Sequence, residues 1–453
     1  MSNRSSFTGK IGFVLAAAGS AVGLGNIWRF PYLAAKYGGG IFLLVYIALA
    51  VTFGFALMVT EIAIGRKTRL SAIGAYGALD RRFGFLGGIA SIVPIIILPY
   101  YSVIGGWVLK YLFGFVTGNG SEMAANGGSF FGSFISSDVE PLLWFALFLG
   151  ITALVVLLGV DKGIEKVSKI MMPILVALIL FIVVYNIATL DGVGKGIVYY
   201  FKPDFSKFSI MTVVAAMGQL FYSMSLAMGI MITYGSYMKK DISIQKSVHQ
   251  IEIFDTGVAL LAGLMIVPAF YVFSHGQADQ MSAGPGLMFS VLPQVFEKMP
   301  AGNFIGAAFF IMVFFAALTS SISLMETVVS IVQDKFKHGR RVCCLIVLGI
   351  SALLGAASAL GYSLWSSFTI IGMQILDFFD FISNSVIMPL VALLTCIFVG
   401  YVLKPKAIFE ELEENGKAGH KWFLSGMIRY VAPVCLLIIL ISSVLSTFGY
   451  VSI

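Results

Sequence analysis

The fold this sequence predicts is an all-α integral membrane protein of about eleven transmembrane helices, and three observations predict it. Hydrophobic residues fill 59% of the 453 positions and charged residues only 11%, against about 25% charged in a soluble domain. A soluble fold cannot hide that much apolar surface, because a large share of any folded surface faces water. Second, the charges stand between apolar runs of about 20 residues or more, the length that crosses a hydrocarbon core of about 30 Å. Third, 22 of the 29 Lys and Arg residues fall on one side once the runs alternate across a bilayer.

The eleven runs lie near 11–34, 40–65, 86–117, 141–160, 167–190, 209–237, 248–273, 303–332, 342–360, 367–402 and 424–449. The first holds Asn26, Trp28, Arg29 and Pro31 and has no small-residue cleavage site, so it reads as a span and not a signal peptide. The third and tenth are the long or kinked members. Arg66, Lys67, Arg69, Arg81, Arg82, Lys239, Lys240, Arg340 and Arg341 all sit in loops or ends that become cytoplasmic when the N-terminus is inside. The odd number of spans then puts the C-terminus outside. The net charge of +7 reports topology and contact with anionic lipid, not nucleic acid. Residues 1–453 read as one membrane domain, with outer loops near 118–140, 191–208 and 274–302 and a polar inner loop at 403–423. Cys343, Cys344, Cys396 and Cys435 lie in spans or at their ends and imply neither disulfides nor a metal centre.

Two runs share an oddity. The first reads AAAGSAVGLGNIWRFPY at 16–32 and the sixth GQLFYSMSLAMGIMITYGSY at 218–237, both interrupted mid-span by small and polar residues. Broken helices five spans apart point to an inverted-repeat transporter with its site at the midplane. An unwound stretch exposes carbonyls that can coordinate a cation and amides that can hold a carboxylate. Close helix packing through small residues is the plainer reading of the same cluster. An arginine within a span, as at Arg29, needs a partner or an aqueous cavity and favours the first reading.

These motifs, with YY at 100–101, ALTSSIS at 317–323 and the acids Asp377 and Asp380, come in an order and spacing that resemble the neurotransmitter:sodium symporter family. The resemblance runs from about residue 4 to 402 and is similar to its bacterial branch, whose prototype is a leucine transporter. It implies a 5+5 inverted repeat, with helices 1–5 over about 11–190, helices 6–10 over about 209–402, helix 11 over about 424–449, and helices 1 and 6 unwound. It further implies a symporter in the bacterial cell membrane that imports a hydrophobic or aromatic amino acid with two sodium ions, without chloride.

Carried over position by position, the resemblance implies a first sodium site at Ala21, Asn26, Ser223 and Asp255, and a second at Gly19, Val22, Ala316, Thr319 and Ser320. Sodium is a hard cation that takes several oxygens, by the logic of calcium's oxygen cage. Taken alone, Thr319 and Ser320 read more simply as hydroxyls bonding back to their own helix. The implied substrate pocket comprises Ser20, Ala21, Leu24, Gly25, Ile97, Tyr101, Tyr222, Ser223, Ser225, Met228, Ser320 and Leu324. Family members that carry biogenic amines place Asp where this chain has Gly23, so the ligand must bring its own carboxylate. Arg29 and Asp380 would form an outer gate, and Arg4 with Asp334 and Tyr237 an inner one. Glu61 would support the unwound backbones, and Gly163 with Pro173, nine residues between them, would let helix 5 unwind at its inner end.

Several positions depart from the family pattern. Phe7 stands where a Trp is common, Ala227 replaces a Gly in the sixth helix, and Glu326 replaces an uncharged amide. Tyr46, Gln219 and Ser223 match the neutral residues that hold chloride in chloride-dependent relatives. The acid that replaces chloride in the prototype falls at Ala259, whereas Asp255 stands where an Asn is usual and can supply the same charge. A sodium-dependent sensor or channel on the same scaffold is the alternative. An enzyme is disfavoured: no nucleophile–base pairing or HExxH motif occurs, and His249, His275, His338 and His420 sit in loops or at span ends.

Overall fold

A computed structural model describes residues 6–125, 128–414, 419 and 421–451. Nine of its helices are long and apolar enough to span a membrane, and a tenth span is the pair Lys10–Ala21 and Gly25–Lys36, bent by 55° at its break. The eleventh is also broken, into Ile210–Ser223 and Ile230–Tyr237, each half too short to cross alone. In chain order the spans are α1 (Lys10–Ala21 with Gly25–Lys36), α2 (Gly40–Thr68), α3 (Arg81–Val116), α4 (Glu140–Leu157) and α5 (Val160–Thr189). They continue as α6 (Ile210–Ser223 with Ile230–Tyr237), α7 (Ile244–Phe273), α8 (Gly302–Phe336), α9 (Arg340–Leu360), α10 (Ile375–Val402) and α11 (Lys421–Thr447). Only isolated bridges interrupt this all-helical arrangement among the described residues.

The tenth span starts later than hydropathy suggested. Residues 367–374 belong to the expected run yet turn, with Ile371 and Gly372 at positive φ and an antiparallel bridge between Ile370 and Met373.

Burial sorts the spans into a centre and a rim. In the apolar window of α8, 78% of residues are buried, against 22% in α11, whose Val434, Leu437 and Ile441 face outward as lipid-facing residues should. Small residues let backbones meet at the centre. A β-carbon at Gly65 of α2 would lie 1.9 Å from the Ile232 carbonyl, and one at Gly235 of α6 would lie 2.4 Å from that of Ile62. The inner half of α6 is therefore laid against α2 backbone to backbone. Gly106 of α3 meets the Phe145 amide of α4 in the same way.

Both breaks have local causes. Val22 is extended (φ −72°, ψ 100°) and ends the first half of α1, with Gly23 just beyond it. In α6, Ser225, Ala227 and Gly229 adopt left-handed φ of 53°, 59° and 72°, which no helix continues through. Glu61 of α2 accepts the Ala227 amide at 2.7 Å, so this carboxylate does support the unwound backbone. The two breaks touch: the Ser225 hydroxyl donates to the Ser20 carbonyl at 3.0 Å.

Candidate functional site

Between the breaks lies a cavity of about 30 Å³, lined by all twelve residues expected to hold the substrate and also by Gly23, Asn26 and Ile230. Tyr222 lines it and also a larger outer cavity of about 390 Å³, so its ring stands between the two. The ring can lie there because position 25 is glycine: a β-carbon would approach Tyr222 to 3.0 Å. Tyr101 is buried and its hydroxyl makes no hydrogen bond of normal geometry among the described residues. A β-carbon at Gly23 would lie 3.3 Å from that hydroxyl and 3.0 Å from the Ser320 hydroxyl, so a larger residue at 23 would invade the cavity.

On one side of the cavity, Asp255 of α7 is fully buried and gathers polar groups from α1 and α6. It accepts from Asn26 Nδ2 at 2.8 Å and from Ser223 Oγ at 2.9 Å, while Asn26 Oδ1 accepts the Gly23 amide at 3.2 Å. Nearby Gln219 donates to the Gly25 carbonyl at 3.0 Å. Gln219 Oε1 has no hydrogen-bond partner among the described residues.

On the other side, the Ser320 hydroxyl of α8 stands 3.3, 3.2 and 3.3 Å from the carbonyls of Gly19, Ser20 and Val22. One hydroxyl proton cannot serve three acceptors, so these oxygens converge as a cation cage would. Thr319 contributes its hydroxyl beside the Ala316 carbonyl at 3.2 Å, but also bonds back to Phe315 at 2.9 Å, as the simpler reading of this residue expected. A β-carbon at Gly19 would meet Thr319 at 3.2 Å, which places α1 and α8 in contact here.

The family model for the sodium:neurotransmitter symporter family matches the chain over residues 4–121 and 137–451, which include both broken helices and the cavity between them. The chain belongs to that family. The symporter is 36% identical over 438 residues to the sodium-dependent transporter YhdH of Bacillus subtilis, covering 96% of each chain. It is 26% identical to the sodium- and chloride-dependent taurine transporter of Rattus norvegicus, over 91% of this chain and 73% of that one. Among solved structures, MhsT in complex with L-phenylalanine superposes with a TM-score of 0.87 at 36% identity, over 97% of this chain and all of that one. The family is one of transporters, not enzymes.

The gate residues divide. Arg29 and Asp380 line the outer cavity without forming an ion pair, and Asp380 instead accepts from Tyr100 at 3.1 Å and Asn384 at 2.6 Å. At the inner end Arg4 lies outside the described residues. Asp334 accepts from the amide and hydroxyl of Ser71 at 2.7 and 2.6 Å, and the Tyr237 hydroxyl donates to Glu326 at 2.7 Å. Phe7 is fully buried, edge-on to Phe13, Tyr234 and Tyr237, and so fills the place of the more common Trp. Gly163 lies in a widened turn at the start of α5, which is wound continuously past Pro173 in this conformation.

Sequence reasoning left Glu326 without a role and missed its partner. Arg340 forms an ion pair with Glu326 and donates to the Val156 carbonyl at 3.0 Å, joining α9, α8 and α4 at the inner end. It also missed fully buried Arg66, which pairs with Glu411 at 2.6 Å and donates to the Ile242 carbonyl at 2.6 Å. Glu411 lies in a polar stretch where nothing local marks it as paired, whereas Glu326 lies within the apolar run 303–332, where a charge calls for a partner without naming it.

Proposed function

We propose that this symporter imports a hydrophobic amino acid together with two sodium ions, by alternating access and without chloride. The observation that carries the reading is the buried Tyr101 hydroxyl facing Gly23 between the two breaks, with no hydrogen bond of normal geometry among the described residues. A buried donor is not left unpaired without cost. The carboxylate of an amino acid would pair with it and with amides near Leu24 and Gly25, where the second half of α1 begins. That carboxylate would also complete an oxygen shell with Ala21, Asn26, Ser223 and Asp255 around the first sodium. Gly19, Val22, Ala316, Thr319 and Ser320 would hold the second.

Ile97, Met228 and Leu324 would receive an apolar side chain, and Tyr222 would close over it. The L-phenylalanine complex of MhsT supports an amino-acid ligand on this scaffold. Asp255 would supply the negative charge that an anion supplies in chloride-dependent relatives, because an uncompensated cation in a low-dielectric site is costly. The charge bias of the loops supports an N-terminus in the cytoplasm and a C-terminus outside the cell membrane. Closure toward the exterior would bring Arg29 onto Asp380. Closure toward the interior would use Arg4, Asp334 and Tyr237, and unwinding between Gly163 and Pro173 would release the second sodium.

The test is uptake into proteoliposomes across a panel of amino acids, with and without an inward sodium gradient. Saturable uptake of at least one hydrophobic amino acid that disappears with the gradient is the expected result. Flux that neither saturates nor responds to sodium would overturn the reading in favour of a channel.

A further inference from the structure

At the inner end of α2, the guanidinium of buried Arg66 reaches two distant segments of the chain. Its Nε donates to the Glu411 carboxylate at 2.6 Å, Nη2 donates to the Glu411 carbonyl, and Nη1 donates to the Ile242 carbonyl at 2.6 Å. Glu411 belongs to a short helix, Lys406–Glu413, in the inner loop between α10 and α11, and Ile242 to the loop between α6 and α7. Neighbouring contacts run the same way. Lys67 donates to the Ala407 carbonyl at 3.2 Å, and Lys240 pairs with Glu411 at 3.3 Å and Glu414 at 2.6 Å. In the first turn of α7, Gln245 exchanges two hydrogen bonds with the Gly419 backbone, at 3.2 and 3.3 Å. The short helix is thus clamped to α2, to the α6–α7 loop and to α7. Its connection to α10 is of another kind. The last turn of α10, Phe398–Val402, is widened, with the Leu403 amide bonded to the Phe398 carbonyl at 2.8 Å. Beyond it stand Lys404, left-handed at φ 64°, and Pro405, which has no amide to carry the ladder on. A matching widened turn, Met427–Val431, lies in α11. The two turns are tied together: Tyr401 donates to the Arg429 carbonyl at 2.8 Å, and Arg429 Nε to the Gly400 carbonyl at 2.9 Å.

Resting on the alternating-access reading above, we infer that the short helix Lys406–Glu413 is a fixed part of the inner α2–α6–α7 unit, and that α10 and α11 pivot against that unit at their paired widened turns. The clamp side is stiff for two reasons. Gly65 and Gly235 hold the backbones of α2 and inner α6 in contact. Parting Arg66 from Glu411 would strand two charges that are buried together, which is the expensive way to break such a pair. The other side is compliant, because a widened turn departs from the regular helical ladder, and such turns recur where helices carry function. The link between the two sides is only Leu403, Lys404 and Pro405. α10 leads from this hinge to Asp380 near its other end, the acid of the proposed outer gate. Movement of the inner unit is thereby handed to the helix that carries that acid.

The experiment measures two distances between spin labels on the full chain in liposomes, with Cys343, Cys344, Cys396 and Cys435 replaced by alanine. One label replaces exposed Glu410 on the short helix; its partner is exposed Ile253 of α7 in one protein and exposed Ile441 of α11 in the other. Each protein is compared without sodium and with sodium plus L-leucine, or L-phenylalanine if uptake of that amino acid is higher. The 410–441 distance should shift by about 2 Å or more, the size of helix shifts in conformational switches, and the 410–253 distance by less than half as much. Equal shifts in both pairs, or no shift in either while the labelled protein transports, would overturn the inference. Should the cysteine-free protein fail to transport, hydrogen exchange on the unmodified chain decides. Amides 398–404 should then change their exchange several-fold between the two conditions while 406–413 keep theirs, and the reverse pattern or no change at 398–404 overturns the inference. If the unmodified chain shows no sodium-driven amino-acid uptake, the symport reading itself fails, an outcome distinct from active protein whose short helix moves with α11.

Discussion

At Ser320 a single hydroxyl faces the carbonyls of Gly19, Ser20 and Val22, and across the cavity Asp255 is met by Asn26 and Ser223. In the proposed function each cluster would hold a sodium ion among these oxygens. Asn26→Ala or Thr319→Ala removes one oxygen from such a shell and should weaken sodium by about 1–3 kcal/mol, with the protein still folded. Sodium titrations of ligand binding check this, and an unchanged sodium affinity removes the corresponding residue from the site. Asp255 carries a second consequence. Uptake with gluconate in place of chloride should be normal in the wild type, and Asp255→Asn should become chloride-dependent. Wild-type uptake that collapses in gluconate would mean that Asp255 does not replace the anion.

Between elements, close contacts and buried ion pairs set which helices move together. Gly65 presses its backbone on the Ile232 carbonyl, and neither main chain can yield. Gly65→Val should therefore separate α2 from the inner half of α6 and abolish folded, monodisperse protein, as size-exclusion chromatography would report. The Glu326–Arg340 pair ties α8 to α9 with Glu326 completely buried. Arg340→Ala leaves that carboxylate with Tyr237 alone and should cost about 3–5 kcal/mol, since an uncompensated buried charge is the expensive outcome. Glu326→Gln, which keeps the Tyr237 bond and removes the charge, should restore much of the loss when combined with Arg340→Ala. A thermal melt of both variants decides it, and equal melting temperatures would show that the charge is not what matters.

At the scale of the whole molecule a cavity of about 390 Å³ is lined by Tyr222, Arg29 and Asp380, while Phe7 packs edge-on against Phe13, Tyr234 and Tyr237. If Arg29 and Asp380 form a gate, closing it would have Arg29 replace Tyr100 and Asn384 as the partner of Asp380. Asp380→Asn removes that attraction and leaves Arg29 unpaired in the closed state, which disfavours closure. Turnover in proteoliposomes should fall several-fold while sodium-dependent ligand binding survives, because the binding residues lie below Tyr222. Normal turnover in this variant would show that the pair is not a gate.

The spans were legible because membrane crossing is a one-dimensional requirement: about 20 apolar residues with charges at their ends, read locally along the chain. The two breaks were legible for the same reason, since clustered glycines with Asn26 and Ser225 state their inability to stay helical. The late start of α10 was not, because residues 367–374 hold Ile370, Ile371 and Met373 while their direction depends on turns and packing. The pairs Arg340–Glu326, Arg66–Glu411 and Glu165 with the Thr8 amide were invisible as well. Each joins residues from 14 to 345 positions apart, and a charge in a sequence looks the same whether its partner is water or a buried acid. Sequence alone thus determined the class, the spans and the positions of the unwound segments, because those follow from local composition. Only the tertiary structure decided which carbonyls converge on Ser320, that the Tyr101 hydroxyl makes no hydrogen bond of normal geometry among the described residues, and that Ala227 is held left-handed, because each depends on helices meeting across the bundle.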